Sequence, residues 1–164
     1  MKIIVNDTNI LIDLIKLNLL QDFVQLPCKI HTLDLVIAEI TDPQQAYEIN
    51  SIRDHLIIGQ IAPDEYTAIL RLQKKNLSFT DCAVLYYTQK TGGILVSGDA
   101  PLRKTAGELA IEVKGILFIF EQLIHHDIID ISTAIRKLKH LMLINPRAPK
   151  KLIEEKINKF TQTQ

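Results

Sequence analysis

The chain opens with an apolar run that stops at a carboxylate. Ile3, Ile4 and Val5 lead through Asn6 to Asp7, and after Thr8 and Asn9 the apolar residues restart as Ile10, Leu11, Leu14 and Ile15. The first spacing is that of a short buried strand, the second that of one helix face. A buried strand feeding straight into a helix is the opening of a βα unit and points to an α/β domain. It also sets Asp7 at the carboxyl end of the first strand, the edge at which open parallel sheets take their ligands.

The alternation continues. A helix is expected over about Asn9 to Lys16, with a further turn or two in Leu17–Leu26. A strand follows at Lys29–His31, then a short helix Leu35–Ile40 behind Asp34. Asp42-Pro43 is a capping acid with proline at the first helical position, so a helix starts there. Leu56–Ile58 reads as a strand. Pro63-Asp64-Glu65 opens a helix that Lys74-Lys75-Asn76 ends. Ser78 to Asp81 has the form of a capping box, and Gly92-Gly93 stops the helix that it starts. Ile94–Val96 is a short, wholly apolar strand ending at Ser97-Gly98-Asp99. A helix over Leu102–Ala106, a strand at Ile111–Val113 and a helix from Gly115 to Ile124 come next. From Ile131 onward the pattern is helical only, broken at Asn145-Pro146, with a last helix at about Lys150–Phe160. This order predicts a mainly parallel sheet with helices on both faces.

A length of 164 residues suits one core. We expect residues 1–130 to form the main domain and residues 131–164 a basic helical extension packed on it. Cys28 and Cys82 make no metal or redox pair, so buried free thiols are expected. Asp7 interrupts the early apolar run, and no stretch approaches the roughly 20 apolar residues of a membrane span. The expectation is a soluble, cytoplasmic protein with no membrane partner.

Formal net charge is zero but uneven. The segment from Arg136 to Lys159 holds eight basic residues against Glu154 and Glu155, a net +6, while the rest of the chain, 11 basic against 17 acidic, carries −6. Arg136, Lys137, Lys139, Arg147, Lys150 and Lys151 are candidates for RNA backbone contact, because phosphate binding needs Lys and Arg and little else. A solvated helix face and a dock for an acidic partner remain open. Arg103 and Lys104, just after Asp99, are candidates for phosphate contact or, equally, part of a solvated face.

Four acids stand where they can meet. Asp7 and Asp99 each follow an apolar strand. Asp81 opens the helix leading into the second of those strands. Glu39 lies in the apolar run Leu35–Ile40, where burial would be costly without a positive partner. A divalent cation would serve all four. Oxygen ligands without His or Cys suit Mg²⁺ or Mn²⁺, and such ions activate water and stabilise a leaving oxygen in phosphodiester hydrolysis. Taken singly, Asp7, Asp81 and Asp99 are each also explained as helix caps. Asp13 follows Asp7 by six residues on the first helix and should point elsewhere. His125-His126 reads as a helix C-terminus at the surface. No phosphate-binding glycine motif occurs.

At this point the sequence resembles the PIN domains, in particular the VapC-like ribonucleases. The matching pieces are Val5-Asn6-Asp7-Thr8-Asn9-Ile10-Leu11, Val36-Ile37-Ala38-Glu39-Ile40, Ser78-Phe79-Thr80-Asp81-Cys82-Ala83, and Leu95-Val96-Ser97-Gly98-Asp99-Ala100-Pro101-Leu102-Arg103. The resemblance covers about residues 1–125. It implies a Rossmann-like three-layer α/β/α sandwich with an acidic pocket for Mg²⁺ or Mn²⁺. Asp7, Glu39, Asp81 and Asp99 match the family's four acids, and Asn9 and Ser97 the small polar positions beside the first and last. The implied reaction is metal-dependent RNA cleavage leaving a 5′-phosphate. Many such proteins are toxins held by an antitoxin, and many are homodimers. The rival expectation is a catalytically inactive PIN-fold module that binds RNA or regulates by interaction. A phosphatase or receiver domain would need paired acids after the first strand, and Asp7-Thr8-Asn9 supplies one.

Overall fold

The computed structural model describes residues 3–162. Its sheet has five strands: β1 (Ile3–Asn6), β2 (Lys29–Leu33), β3 (Leu56–Gly59), β4 (Ile94–Val96) and β5 (Val113–Lys114). Their spatial order is β3-β2-β1-β4-β5, and each neighbouring pair is parallel. The chain winds outward from β1 through β2 to β3, crosses back, and winds the other way through β4 to β5. The order therefore reverses between β1 and β4, the switch point at which an open sheet leaves a crevice. Val5 pairs with Leu95 and Asn6 with Val96, and the Asp7 N–H extends the ladder to the Val96 carbonyl at 3.3 Å. Asp7 and Ser97 thus leave the sheet side by side.

The connecting helices are α1 (Thr8–Lys16), α2 (Leu20–Phe23), α3 (Asp34–Ala38), α4 (Pro43–Ser51), α5 (Tyr66–Leu70), α6 (Phe79–Thr91), α7 (Ala100–Glu108) and α8 (Ile116–His125). Helices α9 (Ile131–Ile144) and α10 (Lys150–Gln162) follow. Helix α1 packs on α2 and α4, and α2 on α8; α6 packs on α5 and α7. Parallel strands need crossovers, and crossovers of one hand place the helices of the two halves on opposite faces. The result is the α/β sandwich expected from the strand–helix alternation. Val5, Leu95 and Val96 lie fully buried at its centre, with Ile10, Leu11 and Leu14 of α1 against them in the same apolar cluster.

Helix α9 contributes Ala134, Leu138 and Leu141, and α10 contributes Ile153, to that one cluster. Polar contacts fix the extension as well. The Lys137 ammonium donates to the carbonyl of Leu17, the C-cap of α1, where a cation meets the negative helix end. Asn145 Nδ2 donates to Asp13 Oδ2 at 2.8 Å, and Lys156 pairs with Glu121. Asp13 therefore faces the α9–α10 junction. No helix among the described residues is long and apolar enough to cross a membrane.

Several boundaries differ from the sequence reading, each for a local reason. Helix α7 begins two residues earlier than expected, at Ala100, because Asp99 caps it and Pro101 is tolerated in the first turn. It ends with Ala110 in the left-handed region (φ 56), and the Ile111 N–H closes on the Ala106 carbonyl at 2.9 Å. That closure is a Schellman turn. It takes Ile111 out of the strand, so β5 starts at Val113. Asn18 (φ 50) ends α1 in the same way, with Leu19 N–H on the Leu14 carbonyl. Helix α5 is short. After Leu70 the chain tightens into i→i+3 bonds, Leu72 to Ile69 and Gln73 to Leu70, because no apolar residue between Leu72 and Leu77 continues its buried face.

Candidate metal centre at the sheet switch point

Three helices start at the switch-point crevice, α1 and α7 with an acid as N-cap and α6 with Ser78 as N-cap and an acid in its first turn. Asp7 Oδ1 accepts from the Ile10 N–H of α1 at 2.9 Å. Asp99 Oδ2 accepts from the Leu102 N–H of α7 at 3.0 Å. At the start of α6, Ser78 Oγ accepts from the Asp81 N–H at 3.0 Å while Asp81 Oδ2 accepts from the Ser78 N–H at 2.8 Å, a reciprocal capping box. The capping explanation of these acids is therefore true as geometry. It does not compete with a shared site, because capping is what brings the carboxylates to helix ends that all open on one cleft. That cleft, of about 230 Å³, is lined by Asp7, Glu39, Asp81 and Asp99 together with Thr8, Asn9, Asn76, Ser78 and Thr80.

Glu39 departs from the sequence expectation. It is the C-cap of α3 and is exposed, so no burial cost attaches to it. Helix α3 closes with tight turns, Glu39 N–H to the Val36 carbonyl and Ile40 N–H to the Ile37 carbonyl, and these swing the carboxylate outward. Thr8 Oγ1 then donates to Glu39 Oε2 at 2.6 Å.

Asp7 is the buried member, 6% exposed. Its Oδ2 accepts from Ser97 Oγ, and Ser97 is fully buried. Burial pushes the Asp7 carboxyl up to about 6, and the charges of Asp81 and Asp99 push the same way. The bonds from Ser97 and the Ile10 N–H act against this without cancelling it. The positive ends of α1, α6 and α7 offset part of the clustered charge. The remainder disfavours the ionised form of Asp7, a cost that either a proton or a cation relieves.

The donor set fits a hard divalent ion: four carboxylates, with small hydroxyl and amide groups around them. In the bonds given above Asp81, Asp99 and Glu39 each use one carboxylate oxygen, and a carboxylate offers about four acceptor sites, so capping leaves ligand capacity. No group of three or more His, Cys, Asp or Glu side chains among the described residues is placed so as to hold a metal ion together.

The other residues singled out in the sequence divide. Asn9 is exposed and lines the cleft, whereas Ser97 acts from beneath it on Asp7. Lys104, Arg136, Lys139, Arg147, Lys150 and Lys151 are exposed. Two cations are turned inward instead: Lys137 onto Leu17, and Arg103, whose Nη1 donates to the Ser97 carbonyl at 2.8 Å. His125 and His126 are exposed at the end of α8. Thr8, Asn76, Ser78 and Thr80 were not anticipated as cleft residues. Thr8 had a signal, since it follows Asp7 directly. Asn76 had none, because only the tight turns after Leu70 carry it to the cleft.

A family model described as "DUF3368: PIN domain" matches residues 3–162, which takes in α9 and α10. Among solved structures, the chain is similar to a PilT N-terminus domain protein from the hyperthermophilic archaeon Sulfolobus solfataricus P2. That match has 13% identity and a TM-score of 0.53, over 74% of this chain and 92% of that one. It is also similar to VapBC2 from Rickettsia felis, whose crystal structure holds a DNA fragment from its promoter. Here identity is 14% and the TM-score 0.50, over 69% of this chain and 98% of that one. At such identities the likeness is one of fold. No curated protein matches the chain.

Proposed function

The chain belongs to the PIN-domain family, whose members are generally nucleases, and from that premise we propose that it is a Mg²⁺- or Mn²⁺-dependent endoribonuclease. The observation that supports this most is the opening of three helix N-termini that carry Asp7, Asp81 and Asp99, with Glu39, on one cleft at the sheet switch point. Asp7, Glu39, Asp81 and Asp99 would hold the ion. When bound, the ion supplies an activated water and neutralises charge on the phosphate.

The protein's own part is positioning. Ser97 holds Asp7 Oδ2, and Thr8 holds Glu39 Oε2. The capping bonds fix Asp81 and Asp99 in orientation, so the carboxylates are arranged before substrate arrives. Asn9, Asn76 and Thr80 at the rim offer hydrogen-bonding groups to a sugar–phosphate backbone. Hydrolysis adds water across a P–O3′ bond and leaves a 5′-phosphate and a 3′-hydroxyl. Exposed Lys104, Arg136, Lys139, Arg147, Lys150 and Lys151 would steer the RNA by phosphate contact. We read the setting as the cytoplasm, with an antitoxin protein and a second copy of this chain as partners in a toxin–antitoxin pair.

The test is calorimetric titration of Mn²⁺ followed by addition of a mixed RNA substrate, comparing wild type with Asp99→Asn. The proposal requires metal binding and cleavage by the wild type and loss of both in the variant. Cleavage unaffected by Asp99→Asn would refute it.

A further inference from the structure

Arg103 follows Asp99 by four residues on α7, and its guanidinium turns back beneath the cleft rather than out to solvent. Arg103 Nη1 donates to the Ser97 carbonyl at 2.8 Å, and the Arg103 N–H donates to the Asp99 carbonyl at 2.9 Å. The Asp99 N–H donates to Ser97 Oγ at 3.0 Å. Together these bonds close a ring around the turn Ser97-Gly98-Asp99. Ser97 spends every polar group in it: its N–H goes to the Lys114 carbonyl at 3.0 Å, its carbonyl accepts from Arg103, and its hydroxyl lies between the Asp99 N–H and Asp7 Oδ2.

The turn needs such a tether. Its middle residue is Gly98, the residue type with most backbone freedom, and nothing lies within 4 Å of the place a Cβ would occupy there. Packing therefore does not hold Gly98 itself, the middle of the turn. Arg103 suits the task because a guanidinium presents planar, fixed N–H groups, and a charge-assisted bond to a carbonyl is stronger than a neutral one. It is half-buried, and Nη1 lies 3.6 Å from where a Cβ at Gly115 would stand, so the head group rests against the β5–α8 junction.

We propose that Arg103 is a positioning residue: by holding the Ser97 carbonyl it fixes the turn that sets Ser97 against Asp7 and points Asp99 into the cleft. It acts on the carboxylates through Ser97 and does not touch the substrate phosphate. This role rests on the metal-site reading above and adds the means by which two of the four acids keep their arrangement.

The experiment compares wild type, Arg103→Ala and Arg103→Lys as full-length chains, at a temperature where circular dichroism shows each folded. Three quantities are read: Mn²⁺ affinity by calorimetry, kcat and KM on a mixed RNA, and amide hydrogen exchange at Asp99 in the metal-free protein. Arg103→Ala is expected to weaken Mn²⁺ binding roughly 10- to 100-fold, the usual loss when a residue orienting a ligand is removed. It should lower kcat, leave KM for RNA at the wild-type value and speed exchange at Asp99. Arg103→Lys retains a donor on a shorter, less rigid arm and should fall between; it alone carries the comparison if the alanine variant does not fold. Unchanged Mn²⁺ affinity and unchanged exchange with a raised KM would overturn the proposal and make Arg103 a phosphate contact. A wild type that binds no Mn²⁺ would overturn the metal-site reading, and this role with it. Wild-type binding matched by both variants would overturn this role alone.

Discussion

Asp7→Asn should stabilise the metal-free protein at neutral pH while removing a proposed metal ligand. The magnitude follows from the carboxyl's position. Burial raises its pKa from 3.8 to about 6, so between those values the folded state holds a proton that the unfolded state has released. Stability must then fall as pH rises through the window. The gap, at about 1.36 kcal/mol per pH unit, amounts to about 3 kcal/mol once Asp7 is ionised. Asparagine keeps an acceptor for the Ile10 N–H but loses the one for Ser97 Oγ, at about 1 kcal/mol. The net expectation is a variant more stable by about 2 kcal/mol near pH 7.5 and less stable by about 1 kcal/mol below about pH 3. Urea denaturation of both proteins in EDTA across that range reads it. The difference between the two curves is the quantity of interest. Other acids such as Glu65, whose carboxyl the Lys90 ammonium holds below its usual range, gain stability as pH rises and cancel in the subtraction. A difference that stays flat between about pH 4 and 7 would refute the claim that Asp7 is a destabilising buried charge.

Two further outcomes test contacts away from the cleft that hold the fold. Gly59→Ala puts a Cβ 2.5 Å from Tyr87 Cε2, and the Tyr87 hydroxyl is bonded to the buried His31 at 2.9 Å, so the ring cannot yield freely. The variant should lose about 1–3 kcal/mol in thermal or urea unfolding, and much less in a Tyr87→Ala background; equal losses in both backgrounds would dismiss the clash. Asn145→Ala removes the donor to Asp13, which is 9% exposed. It should cost about 1–3 kcal/mol, and a variant as stable as wild type would show that the junction does not anchor α9 and α10 to α1.

The fold was legible because its strongest signals are local. Short apolar runs ending at Asp7 and at Ser97-Gly98-Asp99 mark β1 and β4, and Asp42-Pro43, Ser78–Asp81 and Gly92 mark helix ends by their own chemistry. What was not legible depends on φ values or on distant partners. Ala110 takes a left-handed conformation that glycine would have announced, and this shifts β5. The outward turn of Glu39 depends on how α3 closes, and Thr8 meets it across 31 residues of sequence. Arg103 and Lys137 read as surface cations because charge alone does not reveal that a guanidinium or ammonium caps a carbonyl inside the fold. At the cleft, the sequence offered two explanations for Asp7, Asp81 and Asp99, cap or ligand. The geometry removes the opposition, since the caps are what aim the carboxylates.

We propose that Asp7, Glu39, Asp81 and Asp99 hold a catalytic divalent ion. Titrating Mn²⁺ into wild type and Asp99→Asn by calorimetry, then adding mixed RNA, tests it most directly. Saturable binding and metal-dependent cleavage are expected in the wild type, and neither in the variant. A wild type that takes up no Mn²⁺ and leaves the RNA intact would contradict it, and the four carboxylates would then be helix caps and surface charge on a non-catalytic PIN fold.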